Sequence, residues 1–448
     1  MDEANAGIAQ GTEETRGAVR LRIPERRQVA LEARCLDDAV GAGHAVRRVM
    51  AVVEKLEVSK FYEAIKAREG EAGRDATDPR LLIALWLYAC IRGIGSAREL
   101  ARRCEEDAPF RWLCGGVTVN HRLLSDFRTG HAEAVDELFT QVIASLVDQE
   151  VVQVRRISQD GTRVRVSAGA GSFRREGRLE ELLKRAAEHV AELRKQVEAP
   201  EQMAGLSARQ KAASKRAAEE KEKRLQQAIA QLPELKRKQE VAAARKGNGK
   251  AGKKAREKEL RASTTDPEAR VMKMANGGFS PGFNVQLAAD TESRAIVGVE
   301  VSNEGADCNG LSEPMRKQVE ERSGKKVEEH LLDGGYLRND DIEQAHREGT
   351  ALFVPPKGAR TPHRRGHELD PKPRDSEALL AWKQRMRSEE GKEIYKQRAA
   401  TSETVNADLR THRGLMPFTV RGMKKARCVA LWCALAYNVM HFAGALSA

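Results

Sequence analysis

The spacing of apolar residues changes along this 448-residue chain, and that change limits the fold more than any other feature. From about residue 28 to 131, apolar residues recur every three or four positions, which is typical of amphipathic helices. Around 151–166, and again at 283–289 and 295–301, apolar and polar residues alternate, which predicts strands. Two short apolar runs follow between 330 and 354. The pattern predicts an α/β fold, in which a mixed sheet follows a helical N-terminal region.

Residues 175–262 separate the first predicted strand from the others. Leu183, Ala186, Val190 and Leu193 follow a three-four-three spacing, which predicts a helical hairpin or coiled coil. Residues 236–261 hold eleven basic and three acidic residues together with three glycines, so we expect a mobile basic loop at the end of this hairpin. An ordinary solvated surface and a contact with a nucleic-acid backbone are both open interpretations of this charge run.

The whole chain is basic, with 78 Lys and Arg against 66 Asp and Glu, a net charge of +12. Such a balance favours a polyanionic partner, most often nucleic acid, although a merely basic soluble protein is the alternative. Residues 96–99 read as a capping box that opens a helix with Arg98 and Arg102 on its surface. Helix, tight turn and helix with surface arginines fits a small DNA-binding domain, and a plain helical bundle is the alternative.

The cysteines and the apolar segments bear on localisation. The seven cysteines are odd in number and contain no C-x-x-C pair, so we expect neither a disulfide framework nor a zinc site. The N-terminus has no apolar run, and a cytoplasmic protein without a signal peptide is expected. Residues 428–448 are uncharged and long enough to cross a membrane. Asn438 and His441 lie within that run, so a buried terminal helix is the simpler interpretation and no membrane contact is expected.

Carboxylates occur where predicted strands end, and one lies on a late helix. Asp160 and Gly161 lie between the two halves of the alternating run 151–166, Asp333 follows the apolar run 330–332, and Glu403 lies on a predicted helix. Carboxylate oxygens are the ligands that Mg²⁺ prefers. On that helix Tyr395, Glu403 and Arg410 fall within an arc of roughly 80°, at 100° per residue. A carboxylate and a guanidinium on one face could also be an ordinary surface ion pair.

Several short motifs, in the same order, resemble those of DDE transposases from bacterial insertion sequences. Residues 159–164 (QDGTRV) resemble the stretch around the first catalytic aspartate of that family, and 332–336 (LDGGY) resemble the second aspartate with its glycine and tyrosine. Residues 264–270 (TTDPEAR) are similar to a further conserved segment, and residues 421–438 to the C-terminal closure. The resemblance extends over about 28–442.

The family's tyrosine–arginine–glutamate signature is matched by Tyr395, Arg398 and Glu403. The signature usually has three residues between arginine and glutamate, whereas this chain has four. Arg410 takes the place of the trailing lysine. Glu393 and Asp408 therefore remain alternatives for the third acidic residue.

The resemblance implies a ribonuclease H-like catalytic core interrupted by a helical insertion. It implies that Asp160, Asp333 and Glu403 bind two Mg²⁺ (or Mn²⁺) ions, and that Tyr395, Arg398 and Arg410 contact phosphates. The implied reaction is cleavage at the ends of a mobile element and joining to target DNA. Double-stranded DNA is the expected partner, bound by a homo-oligomer. Arg98, Arg102, Lys253 and Lys254 are further candidate DNA contacts.

A non-catalytic DNA-binding protein derived from a transposase, and a nuclease without strand transfer, are the alternative functions.

The same interpretation divides the chain into five parts. The predicted parts are a disordered arm (1–27), a helical DNA-binding domain (28–148), the first part of the catalytic core (149–174), a helical basic insertion (175–262) and the second part of the core (263–448).

Overall fold

The fold is taken from a computed structural model. It describes residues 35–67, 75–198, 207–245, 247, 249–305, 310–356 and 367–448. The predicted disordered arm, residues 1–27, lies outside the described residues.

The described N-terminal region is mainly helical up to Asp148, and several of its helices begin at a residue whose side chain caps them. The Asp78 carboxylate accepts a hydrogen bond from the Arg80 amide, and Pro79 occupies the first helical turn. The Ser96 hydroxyl accepts from the Glu99 amide in the same way. The helices are α1 (Ala45–Lys55), α2 (Ser59–Glu63), α3 (Pro79–Ile91), α4 (Ala97–Glu106), α5 (Ala108–Cys114), α6 (His121–Gly130) and α7 (Ala132–Asp148).

A mixed six-stranded sheet forms the centre of the rest of the chain, so the predicted α/β fold class is confirmed. Its strand order is β4-β5-β1-β7-β8, and β6 also pairs with β5. Strand β1 is antiparallel to β5 and parallel to β7, while β2 and β3 form a separate small sheet. The strands are β1 (Arg156–Arg165), β2 (Phe173–Arg174), β3 (Ala262–Ser263), β4 (Arg270–Lys273), β5 (Phe279–Asp290), β6 (Ile296–Ser302), β7 (Glu329–Leu332) and β8 (Ala351–Phe353).

Strand β1 differs from the sequence prediction in one respect. Asp160 and Gly161 were expected between two halves of the strand, yet β1 runs through them without a break and pairs Asp160 with Leu287. The preceding Val152 and Val154 are buried but lie outside the strand. Val154 has a φ of 60°, which takes the backbone out of the extended region just before β1 begins.

Four helices make up most of the described part of the insertion. Helices α8 (Glu176–Glu198) and α9 (Ala208–Ala230) pack against each other, as the heptad spacing predicted. The expected mobile loop at 236–261 is instead largely two helices, α10 (Leu232–Arg245) and α11 (Lys250–Glu257). Runs of Lys, Arg, Glu and Ala favour a helix, and two of the three glycines fall at the junction between these helices rather than inside them.

The remaining helices pack around the sheet, and the last one is almost completely buried. Helix α16 contacts α1, α3 and α7 on one side and β6 on the other. It is the one described helix long and apolar enough to cross a membrane, but 72% of its most apolar window is buried inside the fold. Its core position accounts for its apolar composition. The helices are α12 (Ser312–Ser323), α13 (Asn339–Arg347), α14 (Glu377–Arg387), α15 (Glu389–His412) and α16 (Met423–Ser447).

Hydrogen bonds at two places along α16 fix this helix against the core. At its start, the Gly422 amide donates to Asp266 Oδ2 (3.0 Å) and the Met423 amide donates to Glu268 Oε2 (2.9 Å). Farther along, the fully buried Asn438 side chain accepts from the Ile296 amide (2.9 Å) and donates to the Ile296 carbonyl (2.8 Å). The carboxylates satisfy amides that no helical turn can satisfy, and Asn438 joins the helix to β6.

Replacing Asn438 with leucine should destabilise the whole fold. The variant leaves the Ile296 N–H and C=O buried without a partner, which costs roughly 1–3 kcal/mol for each group. We expect the free energy of unfolding, measured in urea, to fall by about 2–4 kcal/mol. The exposed Asn339 supplies a matched control, since Asn339→Leu should change it by less than about 0.5 kcal/mol. Equal stability of the two variants would contradict the assigned role of Asn438.

A second prediction concerns His330, which is fully buried on β7. Neither ring nitrogen has a hydrogen-bond partner among the described residues. Burial, and secondarily the nearby Arg316 charge, lowers the pKa of His330 to about 3. The unfolded chain therefore takes up this proton first as the pH falls through about 6.5, and stability is lost below that pH.

Removing His330 should therefore make stability less dependent on pH. Between pH 7.5 and 5, we expect His330→Leu to lose about 2 kcal/mol less unfolding free energy than the unsubstituted protein. The exposed His346 is the control, because His346→Leu should keep the original pH dependence. Urea unfolding at several pH values measures the difference, and parallel curves for the His330 variant and the original chain would refute the prediction.

Candidate active site

The register of the sheet brings two aspartates to neighbouring positions. Strands β1 and β7 are parallel, and Gln159 on β1 pairs with Leu332 on β7. Asp160 follows Gln159, and Asp333 follows Leu332. Two carboxylates that are 173 positions apart in the sequence are thus adjacent in the fold, because parallel pairing aligns them.

Each aspartate is held by the backbone that follows it. Asp160 Oδ1 accepts a hydrogen bond from the Gly161 amide (2.8 Å), and the Asp333 carboxylate accepts from the Gly335 amide. Both side chains are only partly buried. Each carboxylate therefore has a fixed orientation, and solvent reaches both.

Helix α15 lies over β1 and brings the signature side chains to this place. Ser158 Oγ and Ser402 Oγ are 2.5 Å apart, and Ser158 Oγ also donates to the Arg398 carbonyl (3.4 Å). Arg398 Nη1 lies 3.4 Å from Asp160 Oδ2. Side chains two residues apart on a strand share a face, so the serine pair holds the helix over the face that carries Asp160.

Tyr395 belongs to the same group of side chains. Burial raises the pKa of the Tyr395 phenol, the nearby carboxylates of Asp333 and Asp160 raise it further, and Arg398 partly offsets them. The hydroxyl therefore keeps its proton near neutral pH and can donate a hydrogen bond.

Glu403 occupies a different position on the same helix. It follows the sheet-facing Ser402 by one residue, which turns it about 100° around the axis, and its side chain is exposed. The two alternatives are engaged elsewhere, because Glu393 pairs with Lys396 and Asp408 pairs with Arg413 (2.6 Å). Asp408 thereby orients an arginine that donates to the Ile91 carbonyl, at the junction with α3.

The described residues contain no group of three His, Cys, Asp or Glu side chains close enough to hold a metal ion. The structure thus brings Asp160 and Asp333 to adjacent positions and leaves Glu403 on the flank of α15. Mg²⁺ keeps several waters and is commonly held by one or two carboxylates together with substrate phosphates. Two fixed, partly exposed aspartates fit the protein share of such a site.

The other predicted DNA contacts lie on the surface or at its edge. Arg410 is partly buried, and its Nε lies 3.4 Å from Met416 Sδ. Arg98 is exposed at the start of α4. Arg102 is also exposed but forms ion pairs with two glutamates of its own helix, which offset its charge. Lys253 and Lys254 are exposed on α11.

Three polar side chains behind the aspartates were given no role from the sequence, although two of them, Gln159 and Tyr336, lie within the motifs quoted above. Gln159 and Gln286 are fully buried, Tyr336 is 2% exposed, and all three are joined by hydrogen bonds. One signal was available, since glutamine is unusual in a strand as apolar as residues 283–289. Its partners depend on strand pairing, which no local pattern reveals.

Two family models match this chain, and both describe transposase domains. Residues 34–130 match a transposase domain family (DUF772), and residues 254–439 match the transposase DDE domain. Together the two matches cover more than half of the chain. Neither a curated protein nor a solved structure matches it. The second match includes Asp333, Tyr395, Arg398 and Glu403, and the DDE domain implies a ribonuclease H-like core for the mixed sheet. The chain belongs to the DDE transposases of insertion sequences.

Proposed function

We propose that this transposase cuts DNA at the ends of a mobile element and joins those ends to target DNA, in reactions that depend on Mg²⁺. The observation that carries the proposal is the parallel register that makes Asp160 and Asp333 neighbours. Arg398 on Asp160 adds a donor for phosphate next to them. Cleavage of a phosphodiester depends mainly on positioning and on neutralising charge, and these residues supply both.

Asp160, Asp333 and Glu403 are the proposed metal ligands, and all three provide the oxygen atoms that Mg²⁺ or Mn²⁺ accepts. A bound divalent ion would neutralise phosphate charge and activate an attacking water or 3′-hydroxyl. The two aspartates bind from fixed positions. Glu403 is exposed on the flank of α15, so we assign its part in metal binding to the DNA-bound state.

Arg398, Tyr395 and Arg410 are proposed to hold the strand that is cut. Arg398 Nη1 is buried and makes no hydrogen bond to any described residue, so it retains a donor for a phosphate oxygen. Tyr395 adds a neutral hydroxyl donor beside the two aspartates. These groups orient the phosphate without supplying the nucleophile.

The DNA outside the active site is proposed to contact two further parts of the protein. One is formed by Lys250, Lys253 and Lys254 on α11, which are exposed and not in any ion pair found among the described residues. The other is the helical region of residues 34–130, with Arg98 at the exposed start of α4. Because its two glutamates neutralise Arg102, we assign Arg102 a smaller contribution.

The first test of this proposal compares single changes at three acidic residues of α15, namely Glu403, Glu393 and Asp408. Glu403→Gln keeps the shape of the side chain but removes the charge, so it should abolish cleavage and strand transfer in Mg²⁺. Glu393→Gln should retain most activity, because its partner Lys396 is also exposed. Asp408→Asn should retain chemistry but lower stability, since it releases Arg413 from the junction with α3.

The measurement is cleavage and joining of a duplex that carries the ends flanking the gene, with DNA binding and thermal unfolding recorded in parallel. Asp333→Asn serves as the positive control for loss of chemistry with retained binding. Full activity in Glu403→Gln would remove it from the metal ligands. Cleavage without joining by the unsubstituted protein would favour a nuclease, and binding without cleavage a non-catalytic DNA-binding protein.

The second test concerns α11. Each lysine that contacts a phosphate releases a counterion, which contributes about 0.9 to the slope of log affinity against log salt concentration. Replacing Lys250, Lys253 and Lys254 together by glutamine should therefore flatten this slope by about 2–3 units. Fluorescence anisotropy with duplex DNA from about 50 to 300 mM salt measures it.

A matched control replaces three exposed lysines that are already paired with glutamates. Lys60 pairs with Glu137, Lys317 with Glu313, and Lys392 with Glu389. Changing these three to glutamine removes the same formal charge but should leave the slope within about one unit of the original. Equal slopes for the two triple variants would show that α11 carries only a solvated surface.

A further inference from the structure

A buried polar cluster connects the two segments that carry the aspartates. Gln159 Nε2 donates to Gln286 Oε1 (2.9 Å) and to the Leu311 carbonyl (3.2 Å). The Tyr336 hydroxyl donates to the same Gln286 Oε1. A single acceptor on β5 therefore receives one donor from β1 and one from the turn after β7.

Each donor is coupled to one of the aspartates by short, stiff backbone. Gln159 immediately precedes Asp160 on β1, and neighbouring strand residues point to opposite faces of the sheet. Tyr336 closes the turn that Asp333 opens, because its amide donates to the Asp333 carbonyl (3.1 Å). The hydrogen bonds that hold Gln159 and Tyr336 on Gln286 thus also hold the backbone of Asp160 and of Asp333 in place.

Burial makes this arrangement costly unless its hydrogen bonds are retained. Gln159 and Gln286 have no exposed surface, and Tyr336 has 2%. A buried polar group that loses its partner costs roughly 1–3 kcal/mol, so alternative side-chain positions are strongly disfavoured. Apolar residues would fill the same space without requiring one geometry, which points to a role in positioning.

We propose that Tyr336, acting through Gln286 and Gln159, is a positioning residue that sets the separation of Asp160 and Asp333 for a divalent cation. This inference rests on the proposed function, in which those aspartates bind the metal. Tyr336 itself touches neither metal nor DNA. It acts through the position of the turn that carries Asp333.

The experiment uses the full-length protein and Mn²⁺ as the probe. Tyr336→Phe keeps the buried ring but removes the hydroxyl, and Mn²⁺ affinity is measured by the loss of the free-ion electron paramagnetic resonance signal. We expect affinity to fall about tenfold, in line with the loss of supporting hydrogen bonds at metal sites. The Mg²⁺ concentration that half-saturates cleavage should rise by a similar factor, while the rate at saturating Mg²⁺ changes much less.

Tyr88→Phe is the matched control, because Tyr88 is equally buried but lies on α3, away from the cluster. It should leave both metal measurements unchanged. Gln286→Met tests the route, because it removes the shared acceptor. If Tyr336 acts through Gln286, the double variant should bind Mn²⁺ no more weakly than the weaker single variant.

The outcomes separate this inference from the proposed function. Mn²⁺ binding that weakens in Tyr336→Phe supports the inference even where the unsubstituted protein fails to cut DNA, which would contradict only the proposed activity. A lowered unfolding temperature with unchanged Mn²⁺ affinity would show a structural role alone and overturn the inference. Multiplied losses in the double variant would also overturn it, as would the absence of Mn²⁺ binding to the unsubstituted protein.

Discussion

The burial of helix α16 is the constraint on which the rest of the structure depends. A helix this apolar must be covered on nearly all sides, and here α3 and α7 cover one side while β6 covers another. The first amides of this helix have no acceptor within the helix itself, and Asp266 and Glu268 accept from them from a distant segment. That pairing gives residues 264–270 a structural reason for their carboxylates. The helical region and strands β1, β5 and β6 share one hydrophobic core with α16, whereas β7 and β8 pack with α13 and α14 in a separate one.

This shared core supports strand β1, which carries Asp160. Asp136 on α7 pairs with Arg322 on α12 (2.6 Å) and with Arg427 on α16 (3.2 Å), so three helices converge beside β6. Strand β6 pairs with β5, which in turn carries both β1 and the shared acceptor Gln286. The position of Asp160 is therefore linked to the burial of α16 through a continuous series of strand pairings. A substitution that loosens the packing of α16 should therefore shift the position of Asp160, through these strand pairings rather than through a direct contact.

Local patterns in the sequence predict helices and strands better than they predict which of these elements pack or pair with each other. A short apolar run predicts the strand before Asp333, and alternation predicts β5 and β6; both are local properties of the sequence. Helices α10 and α11 differ from the loop that the sequence predicts for 236–261, because the glycines there suggest flexibility while the surrounding residues favour a helix. The register of β1 against β7 could not be predicted, since it depends on residues 173 positions apart. The exposure of Glu403 likewise depends on which face of α15 the sheet covers, and that was decided by the Ser158–Ser402 contact.

The ion pair between Arg398 and Asp160 explains how two adjacent carboxylates coexist before any cation binds. Like charges on neighbouring strands repel, and the guanidinium offsets part of that repulsion. A divalent cation at the same place would neutralise both carboxylates and leave less reason for Arg398 to remain on Asp160. Arg398 Nη1, which makes no hydrogen bond within the described residues, would then have a phosphate oxygen as its acceptor. On the proposed function, metal and phosphate therefore favour each other's binding. The metal neutralises Asp160 and frees Arg398 for the phosphate, and a phosphate that binds Arg398 frees Asp160 for the metal.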